Sequence, residues 1–75
     1  MNVLDQLGVG DRARVSGILG ADEVSMRLME MGLVPGTEVT LVGQAPLGDP
    51  LELELRGYRL SVRRSEAARV QIDQL

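Results

Sequence analysis

The 75-residue chain lacks the residue types that most active sites and metal sites use. It contains no cysteine and no histidine, which excludes disulfides and the usual ligands of zinc. None of its serines has a histidine or cysteine that could act as its partner in nucleophilic catalysis. We therefore predict that the chain is not an enzyme, requires no cofactor and has no dedicated metal-ligand set.

Carboxylates are the strong metal ligands that remain, and such hard oxygen donors suit divalent ions such as Mg²⁺, Mn²⁺ or Fe²⁺. The densest groups are Asp22 with Glu23, and Glu52 with Glu54. Both groups also have structural explanations, since Asp22 suits a helix N-cap and the two glutamates suit the solvated face of a strand. Weak binding of Fe²⁺ or another divalent metal stays open.

Phenylalanine, tryptophan and lysine are also missing, and Tyr58 is the one aromatic residue. A core must therefore come from aliphatic side chains and methionine, within an ordinary hydrophobic fraction of 44%. The net charge of −3 opposes tight binding to nucleic acid or to an anionic membrane surface. No apolar run approaches the ~18 residues of a membrane span. We expect one cytoplasmic domain, residues 1–75, with neither nucleic-acid binding nor membrane insertion.

The first half of the sequence predicts a strand followed by a helix. Ala13 and Val15 alternate with arginines after a glycine-rich turn, which is typical of a strand, and Gly17 and Gly20 suggest that the strand bends or bulges where it ends. A helix of about three turns begins after Asp22, with Val24, Leu28 and Met31 on one stripe. Gly32 fits a left-handed closing position that brings Leu33 against Leu28.

The second half predicts four more strands. Pro35-Gly36 suits a type II turn before Val39 and Leu41, and residues 45–50 have the composition of a loop. Apolar and polar residues alternate in the stretches 51–55 and 58–62. Only a two-residue loop at 56–57 keeps every apolar side chain of both stretches on one face. That register pairs Leu55 with Tyr58, Leu53 with Leu60, and Leu51 with Val62.

Ser65 to Ala68 suit a single helical turn, and Val70 with Ile72 suit a last short strand. The resulting order is strand, helix, three strands, helical turn, strand. Five short strands with one tight hairpin predict a mainly β fold, a small closed barrel with one inserted short α-helix.

Several side chains that the predicted core does not use could bind a partner. We predict a protein-binding role for residues on the helix, in the 45–50 loop and at the hairpin: Met26, Met29, Pro46, Leu47, Asp49, Arg56 and Arg59. The two methionines would form an adaptable apolar surface, and the arginines would suit an acidic partner. Strand edges left unpaired could also join copies of the chain.

The combination MGLVPGTEV, APLGDP and GYRLSVRRSEA, preceded by LGVGDRARV and followed by VQI, resembles the FeoA family over nearly the whole chain. Val9 stands where that family usually carries proline. The resemblance implies an SH3-like β-barrel with an inserted helix. It carries over no catalytic or metal-ligand residues, only turn and core positions: Gly32, Leu33, Pro35, Gly36, Gly48, Pro50, Gly57 and Ala67.

The resemblance also implies action beside FeoB, a membrane Fe²⁺ transporter with a cytosolic GTP-binding domain. Our leading hypothesis is an adaptor of ferrous iron uptake that docks on this transporter and modulates it. A sensor that reads Fe²⁺ through carboxylates is the alternative, and a nucleic-acid-binding small barrel is a more remote one. The same domain type also occurs at the C-terminus of metal-dependent repressors of the DtxR kind. Because this sequence has no DNA-binding helix pair, we expect the free-standing form of the domain.

Overall fold

A computed structural model describes residues 2–75. Five strands form in the predicted order: β1 (Arg12–Ile18), β2 (Glu38–Gln44), β3 (Leu51–Leu55), β4 (Tyr58–Val62) and β5 (Val70–Gln74). Two α-helices separate them, α1 (Glu23–Glu30) and α2 (Arg64–Ala67), and a 3₁₀ helix spans Leu4–Gln6. The mainly β fold with an inserted short helix is confirmed, whereas the 3₁₀ helix was not predicted. Neither α-helix in residues 2–75 has the length and apolar character needed to cross a membrane.

The strands form one antiparallel sheet in the order β4-β3-β2-β1-β5. Its register shifts between Val15 and Gly17 in β1, as predicted, and between Leu41 and Gly43 in β2. Bulges of this kind bend a strand and increase its twist, so the sheet curls. No ladder joins β4 to β5 in the described part of the chain, so the backbone closure that we expected is incomplete.

Side chains close the gap between the two edge strands. The short helix α2 connects β4 to β5 and packs against the 3₁₀ helix. Leu4 and Ala67, one from each of these helices, are completely buried. The α2 segment turns the chain between the two edges, so the barrel ends in packed helices instead of a fifth ladder.

One cluster of aliphatic side chains forms the core, and it follows the alternation of the strands. Leu60 and the exposed Tyr58 are less buried than the rest of their face because β4 lies at the edge of the sheet. The buried apolar residues are Leu4, Leu7, Ala13, Val15, Leu28, Leu33, Val39, Leu41, Leu51, Leu53, Leu55, Val62, Ala67, Val70 and Ile72.

Both ends of α1 carry the predicted caps. The Asp22 carboxylate accepts the Ser25 amide at 3.1 Å, and the buried Ser25 hydroxyl donates to the Asp22 carbonyl at 2.9 Å. At the other end Gly32 has φ +107°, and the Leu33 amide donates to the Leu28 carbonyl at 3.1 Å. Together with the bond from the Gly32 amide to the Met29 carbonyl (3.0 Å), this is a Schellman closure.

The helix itself is shorter than predicted. It has eight residues, a little over two turns, because Met31 already serves as its C-cap with ψ −1°. Leu28 is buried and both Val24 and Met31 are half-buried, so the predicted apolar stripe is confirmed. The turn that follows is also as expected, with the Thr37 amide donating to the Val34 carbonyl at 3.1 Å.

The β3–β4 hairpin has the predicted two-residue loop and register, with Leu55 opposite Tyr58 and Leu51 opposite Val62. Arg56 and Gly57 have φ +49° and +84°, the type I′ pattern that matches the twist of a hairpin. The Arg56 guanidinium donates to the hydroxyl of buried Thr37 at 3.2 Å, which ties the hairpin loop to the residue before β2.

We predict that Gly32→Ala destabilises the fold by about 1–3 kcal/mol, because alanine is strained at positive φ. An added Cβ would also meet the Tyr58 hydroxyl and Leu55 Cδ1. Gly36 also has a positive φ, +93°, but the space around it is open. Gly36→Ala should therefore lower the free energy of unfolding by less than Gly32→Ala does. Urea unfolding measures these differences.

Gly43→Ala is the matched control, because Gly43 has neither a positive φ nor a neighbour within 4 Å. It should change the free energy of unfolding by less than about 1 kcal/mol. If Gly32→Ala and Gly43→Ala lower the free energy of unfolding equally, the closure of α1 does not depend on glycine.

Candidate functional site

Among residues 2–75 no group of three or more Asp, Glu, His or Cys side chains lies close enough to hold a metal ion. The carboxylates with perturbed titration are engaged in structural contacts instead. The pKa of Asp22 is lowered to about 2, chiefly by the hydrogen bond from Arg69 and then by the Ser25 amide. Asp22 therefore supports the fold above pH ~4, its ordinary pKa, and that support is lost as pH falls toward 2.

Glu38 behaves in the same way on the outer face of the sheet. Arg12 donates to one of its oxygens at 2.9 Å and Arg14 to the other at 3.4 Å. These two hydrogen bonds lower the pKa of Glu38 and keep it ionised. All three side chains are about half exposed, so the cluster contributes little to stability and more to the charge pattern of this face.

The arginines divide into those with partners and those without. Six of the eight donate from their side chains within residues 2–75: Arg12 and Arg14 to Glu38, Arg27 to Glu66, Arg56 to Thr37, Arg64 to three oxygen atoms, and Arg69 to Asp22 and Leu19. The Arg59 and Arg63 guanidinium groups make no hydrogen bond or ion pair in the described chain. Arg59 lies opposite Glu54 in the ladder, but the two do not form an ion pair.

Arg64 joins three separate segments, a role that sequence reasoning missed. Its side chain donates to the Gly48 carbonyl at 3.0 Å, the Asp5 carbonyl at 2.9 Å and Gln44 Oε1 at 3.0 Å. One guanidinium thus ties the 45–50 loop, the 3₁₀ helix and the end of β2 together. Two of these acceptors are backbone carbonyls, which no residue pattern could have identified.

The predicted docking residues of the 45–50 loop are all exposed, but they differ in whether a hydrogen bond within the chain already engages them. Leu47 is 97% exposed and Pro46 is exposed, so both could meet a partner. Asp49 is exposed too, but one of its oxygens accepts the Arg64 amide at 2.9 Å. The loop is closed by the Ala45 amide donating to the Pro50 carbonyl at 3.0 Å. Asp49 therefore has a structural task in holding the loop against α2.

The remaining docking residues lie at the other end of the hairpin. Met26 and Met29 are 57% and 40% exposed and face the same side of α1, one turn apart. The Tyr58 hydroxyl donates to the Met31 carbonyl, which holds the hairpin tip against the end of α1. β3 spans ~17 Å between this tip and the 45–50 loop. The predicted residues therefore form two groups, not one continuous surface.

A groove of about 450 Å³ runs between α1 and α2, and the sequence analysis did not predict it. The ion pair between Arg27 and Glu66 lies in this groove. Its lining is rich in arginine and consists of Val24, Arg27, Arg63, Ser65, Glu66 and Arg69. Arg63 also lines a smaller depression of about 300 Å³ beside Asp49 and Pro50. The unpaired guanidinium of Arg63 thus stands between two concave surfaces.

Comparison with known proteins connects this geometry to a family. The family model for the FeoA domain matches residues 2–74. A fusion of Fe(2+) transport protein A with the Fe(2+) transporter FeoB from Porphyromonas gingivalis is 36% identical over 70 residues. That alignment includes 93% of this chain but only 8% of the fusion protein.

Solved structures agree with the family match. A FeoA-like protein from Clostridium acetobutylicum is 41% identical, with a TM-score of 0.91 over 97% of this chain and 85% of that one. FeoA from Stenotrophomonas maltophilia, solved in complex with zinc and described as an SH3 domain protein, is 36% identical. Its TM-score is 0.85 over 97% of this chain and 91% of that one, which confirms the SH3-like fold. A manganese-dependent repressor, 14% identical with a TM-score of 0.89, shares the fold alone.

We predict that Arg64→Met lowers the free energy of unfolding by about 1–3 kcal/mol, because the side-chain hydrogen bonds of a charged group are lost from three segments. Exchange of the Gly48 amide, which donates to the Ala45 carbonyl, should accelerate at the same time. Urea unfolding and amide exchange measure the two effects.

Arg63→Met is the control, because it removes a neighbouring guanidinium that has no side-chain partner in the described structure. A surface change of this kind should stay within about 0.5 kcal/mol. If both variants lose the same stability, Arg64 does not hold the three segments together.

Proposed function

The chain belongs to the FeoA family, and from this premise we propose that it is a non-enzymatic, cytoplasmic accessory protein of ferrous iron uptake. It docks on the cytosolic part of a FeoB-type transporter and modulates that transporter. The observation that carries the proposal is the Porphyromonas gingivalis fusion, in which a 36% identical segment is joined to the transporter in one polypeptide. Fusion gives two units a high effective concentration, whereas a separate chain must reach its partner through a docking surface.

Two exposed groups of residues supply candidate docking surfaces. The first is the helix–hairpin end with Met26, Met29, Arg56 and Arg59, where the hydrogen bond from Tyr58 to Met31 joins the hairpin to the end of α1 and all four side chains are exposed. Exposed methionines can repack against an apolar partner surface, and arginine is common in protein interfaces. The second is the loop end with Leu47, whose side chain is almost completely exposed. We favour the helix–hairpin end because it combines apolar and cationic groups.

A metal-binding sensor is the second candidate function, and the zinc complex of the Stenotrophomonas maltophilia relative favours it. This chain has no histidine or cysteine, so it would have to bind Fe²⁺ or another divalent ion through carboxylates. Carboxylates alone make weak sites for such ions unless several converge on one point. Sensing by the isolated chain therefore ranks below docking.

We predict that the full chain binds the purified cytosolic part of the FeoB-type transporter in calorimetry, with nucleotide and Fe²⁺ each present or omitted. Met26→Gln with Met29→Gln should weaken that binding at least tenfold, since buried apolar contacts at the centre of an interface carry most of its energy. Glutamine keeps helix propensity, so the fold should be retained.

The control pair is Val9→Gln with Leu75→Gln, which also replaces two exposed apolar residues but lies away from α1. It should leave the affinity within about twofold. Absence of binding under every condition would overturn the docking proposal. Stoichiometric binding of Fe²⁺ to the chain alone, without transporter binding, would favour the sensor instead.

A further inference from the structure

One edge of the sheet keeps free hydrogen-bonding groups. In the two-residue hairpin Tyr58 pairs with Leu55, and residues of an antiparallel strand turn alternately toward and away from their neighbour. The amides and carbonyls of Arg59 and Ser61 therefore point away from β3. Neither residue makes a backbone hydrogen bond outside the β3–β4 ladder in residues 2–75. The outer edge of β4 is thus open to another strand.

The opposite edge of the sheet is covered. Val3 forms a bridge with Gln71 of β5, and the Ile72 amide donates to the Asn2 carbonyl at 3.0 Å. The N-terminal segment therefore occupies the edge of β5, as proteins commonly do to prevent unwanted strand pairing. The chain protects one edge and leaves the other accessible, so the two edges are not equivalent.

The open edge carries the two guanidinium groups that lack a partner. Arg59 and Arg63 are four residues apart along the extended chain, so they project from the same face, ~13 Å apart. Arg63 ends the edge, because its amide donates to Glu66 Oε1 at 3.1 Å as α2 begins. Beyond it lies the groove with Arg27 and Arg69. The two guanidinium groups that lack a partner in residues 2–75 thus both lie beside the open strand edge, in a chain whose net charge is −3.

These arginines oppose pairing between two copies of β4. An antiparallel pair centred on Ser61 places Arg59 opposite Arg63 of the other copy, and one centred on Arg59 places that residue opposite itself. A pair centred on Leu60 leaves the two copies of Arg59 as diagonal neighbours, about 7–8 Å apart. Each of these three antiparallel registers therefore brings like charges close together, and like charges directly opposite each other destabilise a pair. The charges fit a different, acidic strand.

We propose that the open edge of β4 binds an extended acidic segment of a partner protein, which adds to the sheet as a sixth strand. Backbone hydrogen bonds to Arg59 and Ser61 hold the segment. Two carboxylates of the segment, four residues apart, pair with the Arg59 and Arg63 guanidinium groups. This inference rests on the proposed function to the extent that the cytosolic part of the transporter supplies the segment.

A model peptide tests the edge without the transporter. The probe is Thr-Glu-Val-Thr-Val-Glu-Thr with blocked ends, titrated into the full ¹⁵N-labelled chain, and its counterpart has lysine at both glutamate positions. We expect the largest shifts at the amides of Arg59, Ser61 and Arg63, and at least tenfold weaker binding of the lysine peptide. Shifts confined to another surface, equal binding of both peptides or no binding would overturn the proposal.

Variants separate backbone pairing from charge. Ser61→Pro removes an outward amide, and proline is tolerated on an edge strand, so β3 should keep its ladder. This variant and Arg59→Gln with Arg63→Gln should each weaken binding of the acidic peptide at least tenfold. Asn2→Asp with Gln74→Glu lowers the net charge by the same two units at other exposed positions and should leave binding within about twofold. If this control weakens binding of the acidic peptide as much as the arginine variant does, net charge alone explains the loss of binding and the proposal is overturned.

The same variants, assayed against the transporter's cytosolic part, distinguish this inference from the docking function. If that part binds the wild-type chain and both edge variants equally, docking stands and the strand addition fails. If the edge variants no longer bind the transporter's cytosolic part, both the docking function and the strand addition are supported. Sedimentation of the chain alone supplies the last check, because a dimer that Ser61→Pro abolishes would make a second copy the occupant and overturn the proposal.

Discussion

The closure of α1 at Gly32 determines how the helix meets the sheet. Because the Leu33 amide donates to the Leu28 carbonyl, the chain reverses within one residue and Leu33 enters the core beside Leu28. The positive φ of Gly32 makes this reversal possible, and the Tyr58 hydroxyl closes over the last turn from the hairpin. Helix, turn and hairpin thus share one junction, and the surface at that end of the molecule depends on it.

The composition of the chain explains why so few polar groups are free for function. With no aromatic residue in the core, burial must come from fifteen small and medium aliphatic residues, which use the inward face of every strand. The outward positions carry charges, and most arginines bind carboxylates or carbonyls that hold loops in place. What remains includes the exposed Met26 and Met29, the almost completely exposed Leu47, and the unpaired Arg59 and Arg63. Recognition by this protein therefore depends on its surface, and the open strand edge is part of that surface.

Local rules were sufficient for much of this fold. The register of the β3–β4 hairpin was predictable because a shift of one residue would have moved its leucines to the wrong face. The caps at Asp22 and Gly32 were predictable because each needs a specific residue type. An N-cap needs a side-chain acceptor such as the Asp22 carboxylate, and the closing position needs the positive φ that glycine adopts without strain. Long-range contacts were not: the Arg64 network depends on carbonyls brought together by folding, and the opposed Glu54 and Arg59 do not pair. For the same reason the candidate docking residues were identified singly, while their division into two groups required the structure.

Native-state hydrogen exchange of the Leu33 amide tests the helix junction most directly, with the Leu53 amide in β3 as its reference. If the junction organises the fold, both amides should exchange only through global unfolding, with the same free energy of opening. Exchange of Leu33 through a local opening of much lower free energy, while Leu53 stays protected, would show that α1 is an appendage to an independently stable sheet.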